Sequence, residues 1–285
     1  MSCRRVFTAS SFWLSRKFNR AIPQILNSAR TYYRPSLALP SSIFAATVLY
    51  AAETSKNMAE EIAKAEEIYA QNKFQEVYEY LLQFKDSENP EILWRLVRAT
   101  RDRATMAGVS ADDKKKMIFE GFEVSKRALE FGDSVGPCHK WYGIMLSQTG
   151  DFIGKKKKIE DSPAMKKHFE KAAELDPKDP TARHLIGMWC FSFADLAWYE
   201  RKIAAVVFGS PPESTYEEAL GHFEKAEELS PSFYSTNQYM LGLVNMKMGK
   251  KEEATKWFKT LLDFKVIKEE DNENIKKAEA QLKSL

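Results

Sequence analysis

Residues 168–177 read HFEKAAELDP, and residues 222–231 read HFEKAEELSP, so eight of ten positions are identical. Each copy sets Phe, Ala and Leu at a spacing of three: Phe169, Ala172 and Leu175, then Phe223, Ala226 and Leu229. That spacing draws one apolar stripe along a helix, and Pro177 or Pro231 closes it. A recurring amphipathic helix with a terminal proline is the mark of stacked helical repeats. One such hairpin cannot bury its own apolar face, so stacking must supply the core.

The 34-residue tetratricopeptide template organises the rest of the chain. It wants a small residue at position 8, Gly near 15, Ala at 20, an aromatic at 24, Ala at 27 and Pro at 32. The last repeat takes Gly242, Gly249, Ala254, Phe258 and Leu261 with no insertion. The preceding one has Gly187, Ala219, Phe223, Ala226 and Pro231, with a 20-residue insertion between its helices. Upstream of it lie Gly143, Gly150, Phe169, Ala172 and Pro177, with a 10-residue insertion and Met165 in place of the alanine. A divergent pair covers 91–105 and 113–131, carrying Gly121, Ser125 and Ala128. An opening form covers 59–84, with Ala65, Asn72, Phe74, Val77 and Leu81. The small residues let paired helices approach, and the aromatic is expected to fill the gap to the next repeat. The expected fold is all-α: about five hairpins over residues 58–285 in a right-handed α-solenoid of tetratricopeptide-like helical hairpins, without a sheet.

The 285 residues carry a net charge of +3, unevenly spread. Residues 1–52 hold seven Lys/Arg and no acid, whereas residues 53–285 hold 36 basic and 40 acidic side chains, a net of −4. This divides the chain into a basic N-terminal targeting or flexible segment, 1–52, and a repeat domain, 53–285. The repeat domain is no general polyanion binder, and no nucleic-acid partner is expected. Residues 1–34 have the Arg-, Ser- and aromatic-rich, acid-free composition of a mitochondrial targeting peptide; an unstructured basic tail is the alternative. The apolar stretch 43–52 (IFAATVLYAA) extends back to Leu37 only through Pro40 and falls short of the roughly 20 residues of a membrane span. It reads as a membrane-associated anchor or as a lead-in to the first helix. Three scattered cysteines, Cys3, Cys138 and Cys190, form no disulfide framework and point to a reducing compartment.

Four strings carry a more specific likeness: SENPEILWRLVRATRD (87–102), HKWYGIMLSQTGD (139–151), HFEKAAELDPKDPTARHLIGMWCFSFADLAWYERKIA (168–204) and STYEEALGHFEKAEELSPSFY (214–234). Over about residues 58–265 the chain resembles the regulator of microtubule dynamics family, including the irregular insertion at 197–220. The resemblance implies a non-enzymatic protein that associates with microtubules and spindle poles and affects chromosome segregation. It places the chain in the cytoplasm, on the cytoskeleton and at the spindle pole; the basic N-terminus adds the mitochondrion. Some relatives sit on mitochondria, tether them to the endoplasmic reticulum and bind phospholipid through the repeat domain. Those relatives have a clear N-terminal membrane anchor, where this chain has only residues 43–52. The resemblance supplies no catalytic residues.

Candidate contact residues follow from charge and repeat position. Lys155, Lys156, Lys157 and Lys158, with Lys166 and Lys167 further on, form the strongest basic cluster, set in the 10-residue insertion as an exposed loop or helix start. Tubulin presents an acidic surface, so this cluster is a candidate microtubule contact; a solvated charged face is the bland alternative. Trp94, Trp141 and Trp189 fall on first helices of hairpins. They are packing residues or line a groove together with Arg98, Lys140, His184, Met188 and Tyr239. The insertion 197–212, with Arg201, Lys202 and the apolar run Ile203–Phe208, either walls a lipid or peptide site or covers the core. Thr215 and Glu218 make a capping box for the helix after it. The Lys/Asn clamp that grips chaperone C-termini is missing: its positions hold Lys140 and Ile144, His184 and Met188, Tyr239 and Leu243. No metal-ligand spacing, nucleophile elbow or phosphate loop is present, and no cofactor is expected.

Overall fold

The computed structural model describes residues 41–209 and 212–285. The targeting-peptide reading of residues 1–34 lies outside the described residues. Two units divide the chain, Met1–Ala59 and Glu60–Leu285. In the first, residues 41–59 are helical, so the apolar stretch 43–52 is part of a helix. Among the described residues no helix is long and apolar enough to cross a membrane.

All regular structure among the described residues is helical: α1 Ser41–Ala70, α2 Phe74–Leu82, α3 Pro90–Ala104, α4 Ala111–Phe131, α5 Gly136–Ile153, α6 Lys155–Leu175, α7 Pro180–Ala194, α8 Trp198–Phe208, α9 Tyr216–Leu229, α10 Ser235–Lys247, α11 Lys251–Leu262 and α12 Glu269–Leu282. Five hairpins pair α1 with α2, α3 with α4, α5 with α6, α7 with α9, and α10 with α11. They stack into the α-solenoid that the repeat pattern predicts.

Local chemistry sets the helix boundaries. Asn89 and Asp179 each precede a proline and cap the next helix, accepting from the N–H of Glu91 (2.9 Å) and Thr181 (2.8 Å). Such a cap satisfies one orphan amide, and proline at the first helical position loses no useful one. Ser110 caps α4 through the Asp113 amide. Thr215 and Glu218 form the expected reciprocal box at α9, at 3.1 and 3.3 Å. In the α1–α2 turn Asn72 takes φ 59°, a left-handed conformation that asparagine tolerates.

The repeat register rests on three glycine–phenylalanine pairs. A Cβ added at Gly143 would lie 2.4 Å from the Phe169 ring, at Gly187 2.8 Å from Phe223, and at Gly242 2.4 Å from Phe258. The bare α-carbon of a first helix is therefore the floor on which the second helix seats its ring. The aromatic thus packs on the glycine of its own hairpin, and the core cluster that holds Phe169 and Phe223 runs on into Ile186 and Leu241 of the following hairpins. The template alanines Ala172, Ala219, Ala226 and Ala254 are buried beside these rings.

The insertions are helical. The shorter one lengthens α5 to Ile153 and starts α6 at Lys155, so Gly150 lies inside a helix and Gly154, at φ 128°, makes the turn. The longer one contains α8, which packs on α6. One helix lies beyond the five expected hairpins. α12 stacks on α10 and α11 as the first helix of a sixth repeat would: Ile275, Ala278 and Leu282 pack with Phe258 and Leu261, and polar groups bond beside them. Ser235 Oγ donates to Asp271 (2.6 Å) and accepts from Asn274 (3.0 Å), and all three residues are buried.

Candidate binding surface

Helix α3 (PEILWRLVRATRDRA) turns Ile92, Leu93, Leu96 and Val97 into the core. Arg95, Arg98 and Arg101, each three residues from the last, share another face. Three guanidinium groups in a row repel one another, and acids from α3 itself and from other helices balance them. Arg95 meets Glu66 at 2.6 Å and Glu91 at 2.7 Å, and Arg98 meets Glu66 at 2.9 Å. The Arg98 guanidinium lies 3.6 Å from the Tyr69 ring centre and 5.1 Å from that of Trp94.

At the end of this row the chain closes on itself. Arg101 Nη2 reaches Glu270 Oε2 at 3.3 Å, and Lys268 Nζ reaches Asp102 Oδ1 at 2.8 Å. These partners are 169 and 166 residues apart in sequence. Asp102 is buried and also accepts from the Tyr69 hydroxyl (2.9 Å) and from Arg101 (3.3 Å). Glu270 accepts from the hydroxyls of Tyr234 (2.8 Å) and Thr236 (3.3 Å). The inner face of first helices α1, α3, α10 and α12 thus curls until its two ends meet.

The electrostatics agree with that geometry. Burial would raise the Glu270 carboxyl, but Arg101 and the Tyr234 hydroxyl outweigh it and hold it below the ordinary carboxylate range. Glu66 behaves likewise, with Arg98 and Arg95 as the counterweights to burial. Burial, then the charge of Asp102, pushes the Tyr69 phenol well above its usual range. Burial and Glu270 push Tyr234 up to about 12.

The candidate groove residues fall into four places. Trp94 and Trp141 pack together with Leu93, Ala128 and Cys138, and the Trp94 indole donates to Glu91 at 2.9 Å. Lys140 pairs with the α7 cap Asp179. His184, Met188, Trp189 and Tyr239 belong to the central core around Phe169 and Phe223, or to its margin. There the Trp189 indole donates to the Ser162 carbonyl at 2.9 Å, and Tyr239 lies against Phe258. Arg98 is the candidate that the structure brings into the inner network. Tyr69, Arg101, Asp102, Tyr234, Lys268 and Glu270 escaped the sequence reading, although the three arginines at spacing three were visible as a stripe.

The lysine row forms the first turn of α6, with Lys155, Lys156 and Lys157 exposed and Lys158 half-buried. Cations are disfavoured at that end of a helix by roughly 0.3–1 kcal/mol each, and acids offset them. Lys155 meets Glu200 at 2.6 Å and the Tyr199 hydroxyl at 2.7 Å, Lys156 meets Glu160 at 3.9 Å, Lys157 pairs with Asp161, and Lys158 with Asp151. Lys166 lies 3.8 Å from Glu170 and 4.4 Å from the Trp189 ring centre, and Lys167 is exposed. Exposed pairs of this kind contribute only ~0–1 kcal/mol each, so the lysines can exchange partners.

The core histidines make folding sensitive to acid. Burial lowers His184 to about 4 from 6.5, against the opposing hydrogen bond to Asn237 at 3.0 Å. Its unfolded form therefore binds the proton first. The stability from keeping it neutral is complete above pH 6.5 and is lost as pH falls from 6.5 towards 4. His168, which stacks on His139, shifts in the same direction through burial and the charges of His139 and Lys167. We expect wild type to lose on the order of 3 kcal/mol through His184 across that window. Urea midpoints at pH 7 and 4.5 check this, and His184→Gln should flatten the difference.

A stack of glycine-floored helical hairpins with a charged inner face is a tetratricopeptide-like repeat protein. A thermophilic TPR protein from Thermus thermophilus shares the fold, with a TM-score of 0.52 at 11% identity over 77% of this chain and 97% of that one. Residues 61–285 match the family model described as Regulator of microtubule dynamics protein 1-3. Regulator of microtubule dynamics protein 1 of Bos taurus is 43% identical over 228 residues, 80% of this chain and 72% of that protein. The Mus musculus protein of the same name is 45% identical over 212 residues, covering 74% and 70%. The chain belongs to the regulator of microtubule dynamics family.

Proposed function

We propose that this chain is a non-enzymatic helical-repeat adaptor that associates with microtubules and spindle poles and contributes to microtubule dynamics and chromosome segregation. Membership of the family carries this reading. The exposed lysine row at the start of α6 supports it, because weakly paired cations on a rigid helix end suit salt-sensitive attraction to acidic tubulin. An unidentified protein partner would occupy the inner face. The protein would then reside in the cytoplasm, on the cytoskeleton and at the spindle pole. Changing Lys155, Lys156, Lys157 and Lys158 together to Glu should lower microtubule co-sedimentation at least tenfold in apparent affinity, about 1.4 kcal/mol. Wild-type binding by that variant would remove the lysine row from the interface.

A second reading, mitochondrial membrane association with lipid binding or organelle tethering, draws on one corner of the surface. Val206 of α8 is 85% exposed, Ile153 55% and Tyr199 42%, and Tyr199 touches Lys155. Apolar side chains beside lysines suit an anionic phospholipid surface. Flotation of the full chain with anionic vesicles, lost on Val206→Asp, is its test.

A further inference from the structure

The contact between α3 and the strap leading into α12 has the form of a latch. The strap, residues 263–268, leaves α11 at Leu262 and carries the exposed Val266 and Ile267. It then sets Lys268 and Glu270 on Asp102 and Arg101. Lys268 also lies 4.7 Å from the Phe74 ring centre. Across the closure the bonds are polar, whereas the core clusters lie within neighbouring hairpins. A ring closed by ion pairs is sensitive to salt and to competing charge in a way that an apolar seam is not.

We propose that Glu270 is an internal stand-in for a carboxylate-rich partner segment. Such a segment binds the inner face by displacing Glu270 from Arg101 and opening the ring. The guanidinium of Arg101 offers the planar donor fork that carboxylates fit. Arg95 and Arg98 continue the row along α3, and Tyr69 and Trp94 support it with their rings. Glu270 sits in the first turn of α12, where the Tyr234 and Thr236 hydroxyls also hold it. Its side chain is 30% exposed, against 2% for Asp102. The inference rests on the microtubule reading only in so far as tubulin would supply the acidic segment.

The test uses the full chain with dyes at Gln71→Cys and Lys276→Cys, both exposed positions, in a Cys3→Ser background; Cys138 and Cys190 are buried. The probe is a synthetic glutamate octapeptide, with dye separation and peptide affinity as the readings. Wild type should show a short separation that lengthens with salt and on adding peptide. Glu270→Gln should lengthen it without peptide and tighten peptide binding about tenfold. Lys268→Met, which spares Arg101, should act in the same direction. Arg101→Gln should lengthen the separation and abolish peptide binding. A separation indifferent to salt and to all three variants would overturn the latch. Unchanged or weaker peptide binding by both Glu270→Gln and Lys268→Met would overturn the stand-in role. Both readings come without microtubules, so peptide binding with failed co-sedimentation sinks the microtubule reading alone.

Discussion

Phe223→Ala should lower the unfolding free energy by about 3–5 kcal/mol, the cost of emptying a fully buried aromatic site. The ring is 0% exposed, rests on Gly187 and touches His184. It therefore joins both helices of its hairpin at the centre of the stack. The complementary change acts from the other side. Gly187→Ala places a methyl 2.8 Å from the same ring, which has no room to retreat, and overpacking should cost about 1–3 kcal/mol. The double variant Gly187→Ala, Phe223→Leu should cost less than the sum of its parts, since the smaller side chain makes room for the methyl. Val206→Ala, on the 85%-exposed position of α8, should stay within about 0.5 kcal/mol. Urea titration measures all four, with Phe223→Leu alone as the fifth variant that the sum requires. A loss below 1 kcal/mol for Phe223→Ala would mean that the glycine–phenylalanine pair does not set the register.

Asp102→Ala should be the most costly change outside the apolar core, at about 3 kcal/mol. Removing one member of a buried charged group leaves the others desolvated and unpaired. Asp102 serves Tyr69, Arg101 and Lys268 at once, and its side chain is 2% exposed. Glu270→Gln should cost about 1 kcal/mol, since its pair with Arg101 is more open to solvent and a glutamine still accepts from Tyr234. Asp102→Ala and Lys268→Met together should fall short of additivity, because the second change removes a cation that the first has stranded. Full additivity in denaturant titrations would show that Lys268 and Asp102 are not energetically joined.

Much of this architecture was legible in the sequence because repeat proteins are held by local rules. The phrase written twice places Phe169 and Phe223, and a fixed count back from each, plus an insertion, reaches Gly143 and Gly187. Asn72, Asn89 and Asp179 announce a turn and two caps by residue type alone. The insertions were harder to read. GDFIGKKKKIEDSPAM holds Gly154 and Pro163, which both suggest a break; Gly154 makes one and the lysines start α6 after it, whereas Pro163 lies inside that helix. The template has no slot for α12, whose packed face opens on the polar Asp271 and Asn274 before it reaches Ile275, Ala278 and Leu282.

The charged inner face was the least legible part. Arg95, Arg98 and Arg101 could be seen as a stripe, but their meaning depends on Glu66, Lys268 and Glu270. Two of those lie more than 160 residues away. Spacing within one helix says nothing about which end of a solenoid returns to meet it. The lysine row shows the converse. It reads as a block of free positive charge, and the fold supplies Asp151, Glu160, Asp161 and Glu200 to balance it.

Co-sedimentation of the purified full chain with assembled microtubules, across a salt series, tests the proposed function most directly. Binding should be present at low ionic strength and weaken steadily as salt is added, through the lysine row of α6. Absence of binding at the lowest salt would contradict it, and the membrane-associated reading of the α8 corner would take its place.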